Sequence, residues 1–212
     1  MGVMVTRAES AAATRRALLD AAAELLDLGG PEAVTLREVG ARAGVTRGAP
    51  YRHFADKDSL LTAIAAERWE QLADQAHTLR SGELPPAGKL RAALQALIGV
   101  GREQPHLYAM LFRWRDHRPG PLGRLHREVC GPVGDPDAAD RAAGRFQDEF
   151  LRIVADAVGE RDAQHYGALL LTGAHGIAGL EHSGHLGADK WRTSADALVD
   201  TLIRMVGAGS RQ

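Results

Sequence analysis

Apolar residues recur every three or four positions along most of the chain, and glycine or proline marks the intervals between these stretches. In the segment from about Thr14 to Leu28, Leu18, Ala21, Ala22, Leu25 and Leu28 form one apolar stripe, and Gly29-Gly30-Pro31 is expected to end the helix. Thr35-Leu36-Arg37-Glu38 fits a capping box, which opens a second helix with Leu36, Val39 and Ala43 inward. Gly44 sits where a tight turn needs a left-handed residue. Thr46 is expected to cap a short third helix, with Pro50 at the edge of its first turn. Asp56 caps a long fourth helix, about Lys57 to Leu79, with Leu60, Leu61, Ile64, Trp69 and Leu72 as its apolar contacts. Ser81-Gly82-Glu83-Leu84-Pro85-Pro86 reads as a boundary. Further helices are expected over 89–102, 105–115, 137–158, 162–185 and 189–206, with one short helix inside the broken stretch 119–136. No alternating strand and no repeat stands out, so the fold class is all-α.

Helix, glycine turn and short second helix within about 20 residues is the helix-turn-helix plan, whose second helix enters the DNA major groove. Charge sharpens this reading. The chain has 212 residues and a net charge of −1. Yet between Val34 and Lys57 five basic residues (Arg37, Arg42, Arg47, Arg52, Lys57) face two acids (Glu38, Asp56), a local net of +3. The third helix carries donors, rings and small groups in place of leucines. Arg47 and Arg52 suit phosphate or guanine edges, and Tyr51, His53 and Lys57 suit phosphates. Gly48 and Ala49 leave room for close approach. A solvated basic face is the competing explanation.

Residues 14–61 resemble the N-terminal domain of the TetR family of bacterial transcriptional repressors. The likeness rests on Ala21-Ala22, Leu25-Leu26 and Gly29-Gly30, on Val34–Val39 and Ala43–Gly48, and on Tyr51-Arg52-His53-Phe54 with Lys57-Asp58 and Leu60-Leu61. The resemblance implies DNA contacts from Thr35, Thr46, Arg47, Tyr51, His53 and Lys57, and a core position for Phe54. Arg37, Gly48 and Arg52 join them as candidates. The implied organisation is a three-helix DNA-binding domain over 1–56 and a larger helical ligand-binding and dimerisation domain over 57–212, with the helix 57–79 connecting them. Leu169–Gly184 resembles a TetR subgroup with a Trp-His-Gly signature, as does Pro105–Phe112, but alanine precedes His175 here.

The resemblance implies a double-stranded DNA operator as the partner of the first domain, and an apolar small-molecule effector and a second copy of the chain as the partners of the second. The resemblance places Trp69, Tyr108, Phe112, Trp114, Phe146 and Phe150 on the helices that surround its pocket, and with His175 these are the pocket candidates, with ordinary core packing as the alternative for each aromatic. Two apolar stripes, Tyr166, Leu169, Leu170, Ile177 and Leu180, and Leu198, Val199, Leu202, Ile203 and Val206, are expected to pair across a two-fold axis. Packing within one subunit is the alternative. His175, His182 and His185 with Glu181 do not form a zinc pattern, and no metal or other cofactor is expected. His117 and His126 read as solvated or pocket-lining. The single Cys130 cannot form an internal disulfide. The chain shows no run of apolar residues long enough to cross a membrane and no secretory leader, so a cytoplasmic location is expected. With no phosphate loop, nucleophile motif or acid pair, an enzyme is not expected. A protein-binding adaptor is the remaining class.

Overall fold

The computed structural model describes residues 6–113, 135 and 137–209. Trp114, His117, His126, Cys130 and the short helix expected within 119–136 lie outside the described residues. Ten helices are found among those described: α1 (Arg7–Ala33), α2 (Leu36–Arg42), α3 (Pro50–His53), α4 (Lys57–Ser81), α5 (Pro86–Glu103), α6 (Pro105–Arg113), α7 (Ala138–Val158), α8 (Ala163–His182), α9 (Ala188–Trp191) and α10 (Ala195–Gly209). The chain divides into two compact units. The first holds the chain up to Glu67 together with Ala109–Ala139, and the second holds Arg68–Tyr108 and the chain from Asp140 on.

The first unit is built on α1, α2 and α3, which pack on one another. Helix α1 begins seven residues earlier than its apolar pattern suggests. Thr6 and Glu9 form a reciprocal capping box, Glu9 N donating to Thr6 Oγ1 (3.2 Å) and Thr6 N to Glu9 Oε2 (2.7 Å). Leu18, Leu19, Ala21, Ala22 and Leu26 are buried, but Leu28 is 71% exposed, a correction to the expected stripe. It falls on the edge of that stripe, in the last turn before the backbone leaves helical geometry at Gly29 (φ −150°) and Gly30 (φ 68°). Pro31 then restarts a single turn.

Thr35 caps α2 by accepting from Glu38 N (3.1 Å), while the Glu38 carboxylate turns to Arg37 Nε (3.5 Å). Arg42 ties α2 to α1 through Glu24 (2.6 Å). Gly44 takes the left-handed conformation (φ 66°) that the turn requires. The expected cap at Thr46 is not made. Its carbonyl accepts from Ala49 N (2.9 Å) to close one turn, and α3 starts only at Pro50, whose missing N–H cannot extend the ladder. Phe54 is buried at the end of α3, with the Arg15 guanidinium over its ring at 5.4 Å. Asp56 and Ser59 then cap α4 reciprocally, Ser59 N donating to Asp56 Oδ1 (2.7 Å) and Asp56 N to Ser59 Oγ (3.2 Å).

In the second unit α5, α8 and α10 pack against one another. Leu90, Leu94, Leu97, Leu170, Ala174, Ile177, Val199, Ile203 and Val206 make the core. Arg91–Asp200 and the two-pronged Arg102–Glu181 pair (2.7 and 3.0 Å) brace its surface. The two apolar stripes expected to face a partner are divided. Leu170, Ile177, Val199, Ile203 and Val206 are buried within the chain, whereas Leu169 (42%), Leu180 (47%) and the neighbouring Met205 (62%) are exposed. Each helix carries two apolar faces, because adjacent leucines such as Leu169 and Leu170 point about 100° apart. No helix among the described residues is long and apolar enough to cross a membrane.

Candidate nucleic-acid interface

Thr35, Arg37, Thr46, Arg47, Gly48, Tyr51 and Arg52 are exposed, and His53 and Lys57 are half-buried. The pairing of the cations separates two roles. Arg16 is held by Asp20 and Glu67, and Arg42 by Glu24. Arg47, Arg52 and Lys57 have no carboxylate within 4 Å among the described residues. Arg37 touches Glu38 only at 3.5 Å and is 86% exposed. The cations of α3 and its flanks are thus left for an outside anion, while those behind it staple helices together.

Arg37, Arg47 and Tyr51 meet around a shallow groove of about 440 Å³, floored by Leu36, Gly40, Ala41 and Val45. Tyr51, 57% exposed, is an aromatic left in solvent at this rim. At Thr35 the side-chain oxygen accepts from its own helix, which leaves the hydroxyl hydrogen for a phosphate. The set suits a polyanion: donors and a ring above a small apolar floor, with fixed geometry behind.

Sequence reasoning missed the residues that fix that geometry. A Cβ on Gly40 would lie 2.8 Å from Pro50 Cγ, so α2 and α3 meet at a distance only glycine permits here. The available signal was a glycine inside a helical pattern, which costs about 1 kcal/mol against alanine and so points to a packing reason.

In the second unit the pocket candidates fall into two groups. Trp69 and Phe146 lie 5.3 Å apart between ring centroids and Phe146 and Phe150 6.0 Å apart, all three buried. Tyr108 stacks on His175 at 5.6 Å, with its hydroxyl 3.2 Å from Nδ1. Burial pushes the Tyr108 phenol up to about 12, which keeps it a neutral donor. Phe112 is 39% exposed and belongs to the first unit. Ala174, where the Trp-His-Gly signature places tryptophan, is fully buried. Glu181 is engaged by Arg102, and His185 Nδ1 by Ser183 Oγ (2.9 Å). Two charged clusters went unread in the sequence. Buried Glu149 collects Arg80 Nε (2.9 Å), Arg152 Nη1 (2.8 Å) and His77 Nδ1 (3.3 Å), and Arg145 holds both Glu70 and Asp74.

Comparison with known proteins matches this geometry. Residues 18–64 match the family of bacterial regulatory proteins of the tetR family, and residues 90–206 match the tetracyclin repressor-like C-terminal domain. The transcriptional regulator SrpR of Pseudomonas putida is 42% identical over 65 residues, which is 31% of this chain and 30% of SrpR. The match therefore spans less than a third of that relative. A protein of unknown function from Rhodococcus sp. RHA1 shares the fold with a TM-score of 0.73 at 24% identity, over 94% of this chain and 96% of that one. FadR of Bacillus subtilis, solved with stearoyl-CoA, does so with a TM-score of 0.62 at 13% identity, over 92% of this chain and 98% of FadR. With a helix-turn-helix unit that leaves Arg47, Arg52 and Lys57 without a carboxylate partner among the described residues, a larger helical C-terminal domain, and family matches over more than half its length, the chain belongs to the TetR family, whose members are DNA-binding transcriptional regulators and not enzymes.

Proposed function

We propose that this chain is a repressor that binds a palindromic operator as a homodimer and is released from it by a small-molecule effector. The observation that carries the DNA reading is the set of unpaired cations, Arg47, Arg52 and Lys57, beside exposed Tyr51. Thr35, Arg37, Thr46, Gly48 and His53 complete the proposed contact surface. Residues 1–56 form the reading head, and residues 57–212 hold the effector and the partner.

The exposed Leu169 and Leu180 on α8 and Met205 on α10 support dimerisation. They are large apolar side chains on the two helices that already share a core, and a second copy would cover them. A two-fold dimer presents two reading heads, which suits an inverted repeat. The buried aromatics Trp69, Phe146 and Phe150 and the Tyr108–His175 pair support an effector that is apolar with few polar points. Release is then a population shift. The effector favours a dimer whose heads are spaced wrongly for the operator, to the extent of its differential affinity for the two states. The connecting α4 carries the change, and the location is the cytoplasm, where the DNA is.

Selection from a randomised duplex library at about physiological salt tests this, because non-specific contacts are weak there. An enriched inverted repeat is expected. Enrichment of no sequence would sink the operator reading.

A further inference from the structure

Leu169 and Leu180 are exposed on α8, and Thr172, Gly176 and Gly179 lie exposed between them. These positions recur every three or four residues and share one side of the helix. Glu181 is the only aspartate, glutamate, lysine or arginine on α8, and Arg102 already holds both its oxygens. A solvated helix face ordinarily carries charge, whereas the core of an interface is depleted of it.

Two glycines of α8 serve packing inside the chain and two do not. A Cβ on Gly167 would lie 2.6 Å from Leu151 Cδ2, and one on Gly173 2.6 Å from Leu202 Cδ1. A Cβ on Gly176 or Gly179 would meet nothing within 4 Å. Glycine inside a helix is less stable than alanine, and no neighbour in the chain accounts for it at these two positions. Close approach of an outside backbone does.

The face is complementary to itself. Across a two-fold axis residue i meets j and j meets i. With α8 antiparallel to its copy and the axis beside Ala174, Leu169 shares a layer with the partner's Gly179, Thr172 with the partner's Gly176, and Leu180 with the partner's Ala168. Each large side chain thus lies beside a small residue. A parallel pair would set leucine on leucine and glycine on glycine, holding the helices apart where the glycines leave space. Helices α8 and α10, 20 and 15 residues long, pack side by side and offer a face of about 500 Å² in projection, with more in accessible area. That approaches the roughly 800 Å² per partner of a stable dimer.

We propose that two copies of the chain cross closely at Gly176 and Gly179 of α8, with Leu169 of each seated beside the partner's Gly179. This rests on the homodimer reading above and assigns its register.

Light scattering of the full chain over a dilution series tests it, with circular dichroism alongside. Gly179→Leu is expected to keep its helicity, because the new side chain enters open space in the single chain. It should raise the dimer dissociation constant at least about tenfold, because the same crowding occurs twice across the axis. Adding Leu169→Ala to that chain moves the large group to the other side of the layer and should recover most of the loss. A Gly179→Leu protein as dimeric as the unsubstituted one, or a loss that Leu169→Ala leaves unrestored, would overturn the register and leave the homodimer standing. Loss of helicity in Gly179→Leu would give the glycine a role inside the chain and overturn the proposal too. A monomeric unsubstituted protein would remove the homodimer reading itself.

Discussion

Substituting Gly40 by alanine sets two known effects against each other. In an open helix the change stabilises by about 1 kcal/mol. Here the new Cβ would sit 2.8 Å from Pro50 Cγ, against a comfortable carbon–carbon separation of about 3.5–4.0 Å. Pro50 is buried, and its ring is closed onto the backbone, so it cannot rotate away as a leucine would. Overpacking of this kind costs about 1–3 kcal/mol, which leaves Gly40→Ala destabilising by roughly 0–2 kcal/mol. The larger effect falls on DNA. Relieving the contact moves α3 outward by about 1 Å, and losing one base contact costs about 1–3 kcal/mol, roughly a ten- to hundredfold loss in affinity. Adding Pro50→Ala removes the ring, so the double variant should recover affinity and stability relative to the sum of the singles, with a coupling of about 0.5–3 kcal/mol. Fluorescence anisotropy with a selected duplex, alongside denaturant unfolding of the three variants, gives the cycle. Strict additivity, or a Gly40→Ala protein that is more stable and binds DNA unchanged, would refute the claim that this contact sets the pose of α3.

Arg47→Ala and Tyr51→Ala should each weaken operator binding at least about tenfold with the dimer intact, and Arg47→Ala should lower the salt slope by about one if Arg47 meets a phosphate; titration at several salt concentrations reads both. Leu180→Glu places a charge on the exposed apolar face of α8, so light scattering should report a monomer, and an unchanged dimer would move the interface elsewhere. Burial raises the Glu149 carboxylate, but the hydrogen bonds from Arg80 and His77 prevail and hold it below the usual 4.5. A depressed carboxylate stabilises the fold above its unfolded pKa and loses that contribution as pH falls through the folded one. The stability of the unsubstituted protein should therefore decline below about pH 4.5 more steeply than that of Glu149→Gln, which should itself be weaker near neutral pH by about 1–3 kcal/mol; parallel pH profiles would contradict this.

Local signals were the most legible part of the sequence. Thr35, Gly44 and Asp56 act where their residue types say they should, because a cap or a left-handed turn involves only a few neighbouring residues. The start of α1 was hidden because residues 7–13 are all exposed and leave no apolar stripe to read. Thr46 had the chemistry of a cap, yet Pro50 decided where α3 begins. Leu169 and Leu170 could not be sorted between core and surface, since which face of α8 is covered depends on α5 and α10. The contact of Gly40 with Pro50 is tertiary and leaves only a weak trace, a glycine in a helix.

The most direct test of α3 as a DNA-reading element compares the selected inverted repeat with a scrambled duplex at about 0.15 M salt. Affinity for the repeat should exceed that for the scrambled duplex by about a thousandfold or more, at two protomers per site, and Arg47→Ala with Tyr51→Ala should remove that preference. Equal affinity for the two duplexes, or a preference that survives both substitutions, would contradict it.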